Sequence, residues 1–269
     1  SYSARVVSSS FHPPLQHFQD ALEASPPRLD VAALAVGAHC NEAGIDVEDG
    51  LAKLDDLAAG VSDRTLPGIL QFLFKDQGFG GEKDNYYDPT NSYIDQVMLR
   101  RRGIPISLAI ITIEVARRCN VPLFGVGMPG HFLVGCRDAE DIFVDPFEGT
   151  LIDKAAAHAL FSDLHPSQEF RPEFLNETVS HFIVLRMLNN LRMIHLRDRQ
   201  ISGLASVLEL LVCFVDCPID EFHRLAAALD ALGRTDEAAR HLDRAASRYG
   251  GTDADQMTAR ATQLWARLN

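Results

Sequence analysis

From Ile104 to Cys119 the chain is apolar nearly all the way round a helix: Ile106, Leu108, Ala109, Ile110, Ile111, Ile113, Val115 and Ala116 leave little of the surface for water. A helix without a wet face must be wrapped by the rest of a fold or lie in a membrane. The run stops short of the roughly 20 residues that a span requires, and no other uninterrupted apolar stretch reaches that length. Everything else in the sequence is therefore expected to pack around this one helix.

The flanking segments supply suitable partners. Val31, Leu34, Ala35 and Ala38, then Leu51, Leu54 and Leu57, recur at three- and four-residue steps and predict two short helices around a break at Gly44. Leu66 to Phe74 is helical in period and ends in Gly78-Phe79-Gly80-Gly81, where glycine frees the backbone to turn. Asn91 to Arg102 reads as a helix that closes on a basic cluster before Gly103. Beyond the central helix, Leu123 to Gly127, His131 to Cys136 and Ile142 to Val144 are short β-rich runs between turn signals, the rhythm of a small antiparallel sheet. After Pro146 the pattern is helical throughout, notably over Glu177 to Leu196 and in paired antiparallel helices over Ile219 to Leu268, with no further strand expected. Leu225 to Ala238, turning at Gly233-Arg234, resembles the turn of a tetratricopeptide unit, although the length holds only one or two such units.

Composition narrows the function. Apolar side chains make up 46% of the 269 residues and charged ones 23%, an ordinary globular balance. The formal net charge of -12 argues against a nucleic-acid surface, which needs a basic face, and no membrane association is expected. Cys40, Cys119, Cys136, Cys213 and Cys217 cannot all pair and form no CxxC, which suggests free thiols in a reducing cytoplasm. Ser1 to Pro14 lacks a basic stretch followed by an apolar run, so no leader is read there.

Chemistry gathers in the middle third. Arg102-Gly103-Ile104-Pro105-Ile106-Ser107-Leu108-Ala109 opens the apolar helix, Pro129-Gly130-His131-Phe132 opens a strand, and Val144-Asp145-Pro146-Phe147 closes the next. His131 and Asp145 on adjacent strands could stand side by side, the carboxylate accepting the imidazole N–H and fixing its tautomer. A helix N-terminus facing them would stabilise a thiolate or oxyanion. That is an arrangement suited to a cysteine hydrolase or acyltransferase.

These motifs, together with Tyr87-Asp88-Pro89-Thr90-Asn91-Ser92-Tyr93, resemble the SirB-type, transglutaminase-like proteins of bacteria, which carry a C-terminal tetratricopeptide-like region. The resemblance is strong over about Asn85 to Asp153 and weaker on the flanks. It implies an α+β, papain-like core of central helix and small antiparallel sheet. Residues 1–75 would then be a helical N-terminal segment, 76–155 the transglutaminase-like core, and 156–269 a helical, tetratricopeptide-like region. Catalytic transglutaminase-like enzymes carry Gly-x-Cys at the start of the central helix, an alanine four residues on, an arginine near its end and a Gly-Ile-Pro-like strand entry. Ala109, Arg117 and Val121-Pro122 fall on those marks, which puts Pro105 at the cysteine position, while His131 and Asp145 match the other two members of the triad. Proline has no nucleophilic atom, yet it suits the first turn of a helix.

Ser107 is the nearest hydroxyl that could act in its place, but a two-residue step turns it about 200° around the helix. Cys119 and Cys136 lie too far along their elements. The plainer role for His131 is to pin two strands through Asp145. No third ligand or HxxxH spacing points to a metal, no cofactor is expected, and the glycine-rich stretch lacks the lysine and hydroxyl of a phosphate loop. Arg100-Arg101-Arg102 reads as a solvated helix end or a contact for an acidic partner. The expected function is non-catalytic, with a peptide or protein partner bound in a cleft lined by Tyr87, Asn91, Pro105 and Phe132. The rival is a hydrolase or acyltransferase with a displaced nucleophile, His131 acting as base.

Overall fold

A computed structural model describes residues 13–268. Most of the chain's opening, Ser1 to His12, where no leader was read, lies outside the described residues. The N-terminal part is helical: α1 (Pro13–Glu23), α2 (Leu29–Cys40), α3 (Val47–Gly60) and α4 (Leu66–Leu70), the last widening into a π-helical turn over Gln71–Asp76. Asp46 and Thr65 cap α3 and α4, their side chains accepting from the backbone N–H groups of Asp49 and Gly68. A short strand β1 (Gly80–Gly81) leads to α5 (Ile94–Arg100), β2 (Arg102–Gly103) and the central helix α6 (Pro105–Arg118). α5 is shorter than the Asn91–Arg102 pattern suggests. Arg101 takes a left-handed conformation (φ 60°) that ends the helix, and Arg102–Gly103 then pairs in parallel with β1.

The whole of α6 from Pro105 to Ala116 is buried, as its composition demands. Ile106, Leu108, Ile110 and Ile111 are each at most 2% exposed, and burying such a side chain contributes about 1.5–3 kcal/mol. Its polar residues are satisfied: the Thr112 hydroxyl donates to the Leu108 carbonyl at 2.8 Å. Glu114 accepts from Arg117 and Arg118, and both arginines reach across to Asp30 at the start of α2.

The strands that follow are β3 (Leu123–Val126), β4 (Leu133–Cys136), β5 (Ala139–Asp145), β6 (Thr150–Asp153) and, after α7 (Lys154–Leu164), β7 (Glu177–Thr178). They form one antiparallel sheet in the order β6-β5-β4-β3-β7. The expectation of no strand after Pro146 was therefore wrong in two places. β6 is an edge strand with mostly exposed side chains, so it carries no hydrophobic alternation, and β7 is a two-residue pairing inside a stretch that reads as helix. Alternation sorts the sheet's two faces: Phe132 and Val134 join the core around α6, while Val126, Leu133 and Phe143 pack with Phe161 of α7 and Leu175.

The chain continues through α8 (Ser180–Arg197), α9 (Ile201–Leu211), α10 (Ile219–Ala231), α11 (Thr235–Ala246) and α12 (Gly251–Ala266). α10 and α11 pack as an antiparallel pair across the Gly233 turn, with Leu225, Ala226, Leu229, Ala238, Ala239 and Leu242 buried. The fold is mixed helical with a small antiparallel sheet, of α+β class. Among the described residues no helix is long and apolar enough to cross a membrane.

Candidate functional site

His131 lies in the turn ahead of β4, its backbone N–H donating to the Met128 carbonyl at 3.1 Å. The preceding Gly130 takes φ 76°, and a Cβ there would sit 2.6 Å from the His165 ring. Only glycine fits both demands. From this turn the imidazole reaches the last residue of β5, where His131 Nε2–H donates to Asp145 Oδ1 at 2.9 Å. The same oxygen accepts from the backbone N–H of Phe147 at 2.9 Å and, more weakly, of Glu148 at 3.5 Å. Burial alone would push the Asp145 carboxyl upward, but the hydrogen bond and charge of His131 and the two backbone donors hold it below its ordinary value. The carboxylate thus stays ionised and fixes the imidazole with Nδ1 as the nitrogen left for other contacts.

The start of α6 is tied to this pair through β1. Gly80 N–H donates to Arg101 O (3.1 Å) and Glu82 N–H to Gly103 O (2.9 Å), while between them Gly81 N–H points the other way, to Phe147 O (2.9 Å). Gly81 must be glycine, because a Cβ would come within 2.4 Å of the Phe147 ring. Phe147 in turn stands edge-on to His131, with ring centroids 6.5 Å apart, and contacts Tyr86, which stacks edge-on against Tyr87. An aromatic rim so joins His131 to the surface, where Tyr87 is 59% exposed beneath the Arg197 guanidinium.

Pro105 is the first residue of α6 and is buried, bringing neither an N–H nor a nucleophile to this end of the helix. Ser107 is fully buried and its hydroxyl is committed locally: it donates to Asn91 O at 2.6 Å and accepts from Ile104 N–H at 3.1 Å. Cys119 closes the far end of α6, its thiol pushed up by burial and directed at the Ala58 carbonyl. Cys136 is buried in β4.

Asn91 is also fully buried. Its Nδ2 donates to the carbonyls of Asn85 (2.7 Å) and Tyr86 (3.3 Å), and its Oδ1 accepts from Arg100 (3.0 Å), so it fastens the aromatic loop to α6. Phe132, 1% exposed, faces the core. Of the residues expected to line a cleft, Tyr87 alone is at the surface; Asn91, Pro105 and Phe132 are buried.

Sequence reasoning missed Arg186. This α8 residue donates to the carbonyls of Met128 (3.0 Å) and His131 (2.7 Å) and lies over the Phe132 ring, so it sets the turn that carries His131. Its signal was an arginine inside the apolar run Ile183 to Leu188. Among the described residues no group of three or more His, Cys, Asp or Glu side chains is placed to hold a metal ion.

Residues 45–189, more than half of the chain, match the family model described as the transglutaminase-like superfamily. A UPF0162 protein of Xylella fastidiosa (strain Temecula1) is 41% identical over 138 residues, 48% of this chain and 48% of the relative. A UPF0162 protein of Pseudomonas aeruginosa is 32% identical over 192 residues, 68% of this chain and 70% of its own. F-box only protein 21 of Mus musculus is 38% identical over 94 residues, 35% of this chain and 15% of that protein. The chain spans about half the length of the Xylella relatives it matches.

Proposed function

The chain belongs to the transglutaminase-like superfamily, and from that premise we propose that it is a non-catalytic member, binding a peptide or protein partner over the aromatic rim at His131. One observation carries the reading: α6 begins with Pro105, which offers no nucleophile, while the ordered His131–Asp145 pair is fastened to the head of that helix through β1. Ser107, the hydroxyl two residues along from Pro105, donates its hydrogen bond to the Asn91 carbonyl and is closed to solvent. What remains is a surface that carries the exposed Tyr86 and Tyr87 beside the Phe147 ring. Tyrosines supply large contact area at low entropic cost, which favours recognition of another chain. The SirB-type grouping and the tetratricopeptide-like character of the tail rest on the ordered motifs and on the Gly233 turn between α10 and α11, and belong to this proposal too, as does a cytoplasmic location.

The test is a peptide-display selection on the full chain, paired with labelling by a fluorophosphonate. Binders are expected whose affinity falls at least tenfold in Tyr87→Ala, with no labelling at Ser107 in the native protein. His131-dependent labelling of Ser107, absent in Ser107→Ala, would establish the displaced-nucleophile hydrolase instead. A selection that yields only binders indifferent to Tyr87 would remove the rim as the binding face.

A further inference from the structure

A cavity of about 490 Å³ lies away from His131, between the N-terminal helices α1 and α2 and the helices α9, α10 and α11. None of its lining residues belongs to the site described above, so a ligand bound here would be independent of the rim at His131. The volume is that of a small-molecule site. Its accessible apolar lining comes from the half-buried Leu15 and Val212, over a buried floor of Phe222, Leu225 and Leu229 on α10.

The charges around it divide into two groups. Arg234 donates to Glu237 at 2.8 Å and to Glu209 at 3.3 Å, and Glu209 also pairs with His39 at 2.8 Å, so this group is engaged with itself. Arg244 and Arg248 form the second group. Both are exposed, Arg244 Nε donates to the Arg240 carbonyl at 3.4 Å, and among the described residues neither has a carboxylate within ion-pair distance, in a chain whose formal net charge is -12. Two cations four residues apart on a helix repel each other. The negative end of α11 accounts for a cation in its last turn. It does not account for His241, which also lines the cavity. Its ring stacks on Phe222 (centroids 5.6 Å apart, interplanar angle 17°), and its Nε2 is buried with no hydrogen-bond partner among the described residues. A buried ring nitrogen left unpaired is costly, and a ligand's polar group would remove that cost.

We propose that this cavity binds a small organic carboxylate with an apolar body, the carboxylate meeting Arg244 and Arg248, the body lying against Leu15 and Val212, and His241 hydrogen-bonding at the junction. Apolar lining beside guanidinium groups that lack a carboxylate partner matches that chemistry better than a simple anion, which would leave Leu15 and Val212 wet, or a neutral lipid, which would leave the arginines without a counter-charge.

Nuclear magnetic resonance titration of the full chain tests this with three probes: 4-phenylbutyrate, its alcohol 4-phenylbutanol, and inorganic phosphate. Saturable shifts confined to the segments that line the cavity, on α1, α2, α9, α10 and α11, are expected for 4-phenylbutyrate, with the alcohol and phosphate each at least tenfold weaker. The double variant Arg244→Gln/Arg248→Gln should weaken 4-phenylbutyrate at least tenfold while its melting curve stays native. Equal binding of acid and alcohol, phosphate binding as tightly as the acid, an unchanged affinity in the double variant, or no saturable binding of any probe would each overturn the proposal.

Discussion

Replacing Asp145 by alanine removes the one acceptor shared by His131 Nε2–H and the Phe147 N–H, both at 2.9 Å, in a residue only 6% exposed. Bonds to a charged acceptor contribute about 1.5–3 kcal/mol each, and the donors left behind are costly to bury unpaired. Part of that loss is offset because the carboxylate no longer has to be desolvated, so a net destabilisation of about 3 kcal/mol is expected. For a chain of this size that is a fall of roughly 6–12 °C in melting temperature. Asp145→Asn keeps one acceptor and should lose about half as much. Because the native carboxyl sits below its ordinary value of 3.8, the stability owed to its charge is complete above that pH and is lost as pH falls through the lower, folded value. Urea unfolding followed by circular dichroism measures the differences. Nitrogen-15 NMR of the imidazole should show the Nε2–H tautomer in the native protein and its release in Asp145→Ala. A loss under 1 kcal/mol with an unchanged tautomer would refute the view that this pair organises the site.

Two further outcomes follow from the packing. Arg118→Met leaves Asp30 and Glu114 buried side by side, 1% and 3% exposed, with one bridging cation gone, and should cost about 3–5 kcal/mol at pH 7. Burial and the nearby Asp30 already raise the Glu114 carboxyl above 4.5; an acid raised on folding favours the native state at low pH, so the variant should regain part of its loss between pH 7 and pH 5 in urea titrations. Gly81→Ala drives a methyl into the Phe147 ring and should lower stability by about 1–3 kcal/mol, read by thermal melting, with Tyr87-dependent peptide binding weakened as well.

The central helix was legible because its apolar pattern allows no other environment, and the short strands beside it because β-branched and aromatic residues alternate between turn signals. β6 was not, since an edge strand with a wet face leaves no periodicity to read, and β7 exists only because β3 offers a partner edge. At the site, chemistry was more legible than exposure. The proximity of His131 to Asp145 followed from two adjacent strands, but nothing in the residue types of Asn91 or Phe132 says that they lie under the surface instead of on it. Arg186 escaped because its carbonyl partners belong to a turn more than fifty residues earlier, and a tertiary hydrogen bond has no local sequence signature.

β1 has a mechanical consequence out of proportion to its two residues. Its amides alternate between the segment entering α6 and the carbonyl of Phe147, which makes it a splice between two parts of the chain that share no covalent neighbour. The loop that follows, which carries Tyr86 and Tyr87, is thereby moored both to the head of α6 and to the residue whose amide steadies Asp145. Rim and polar pair share one two-residue fastening.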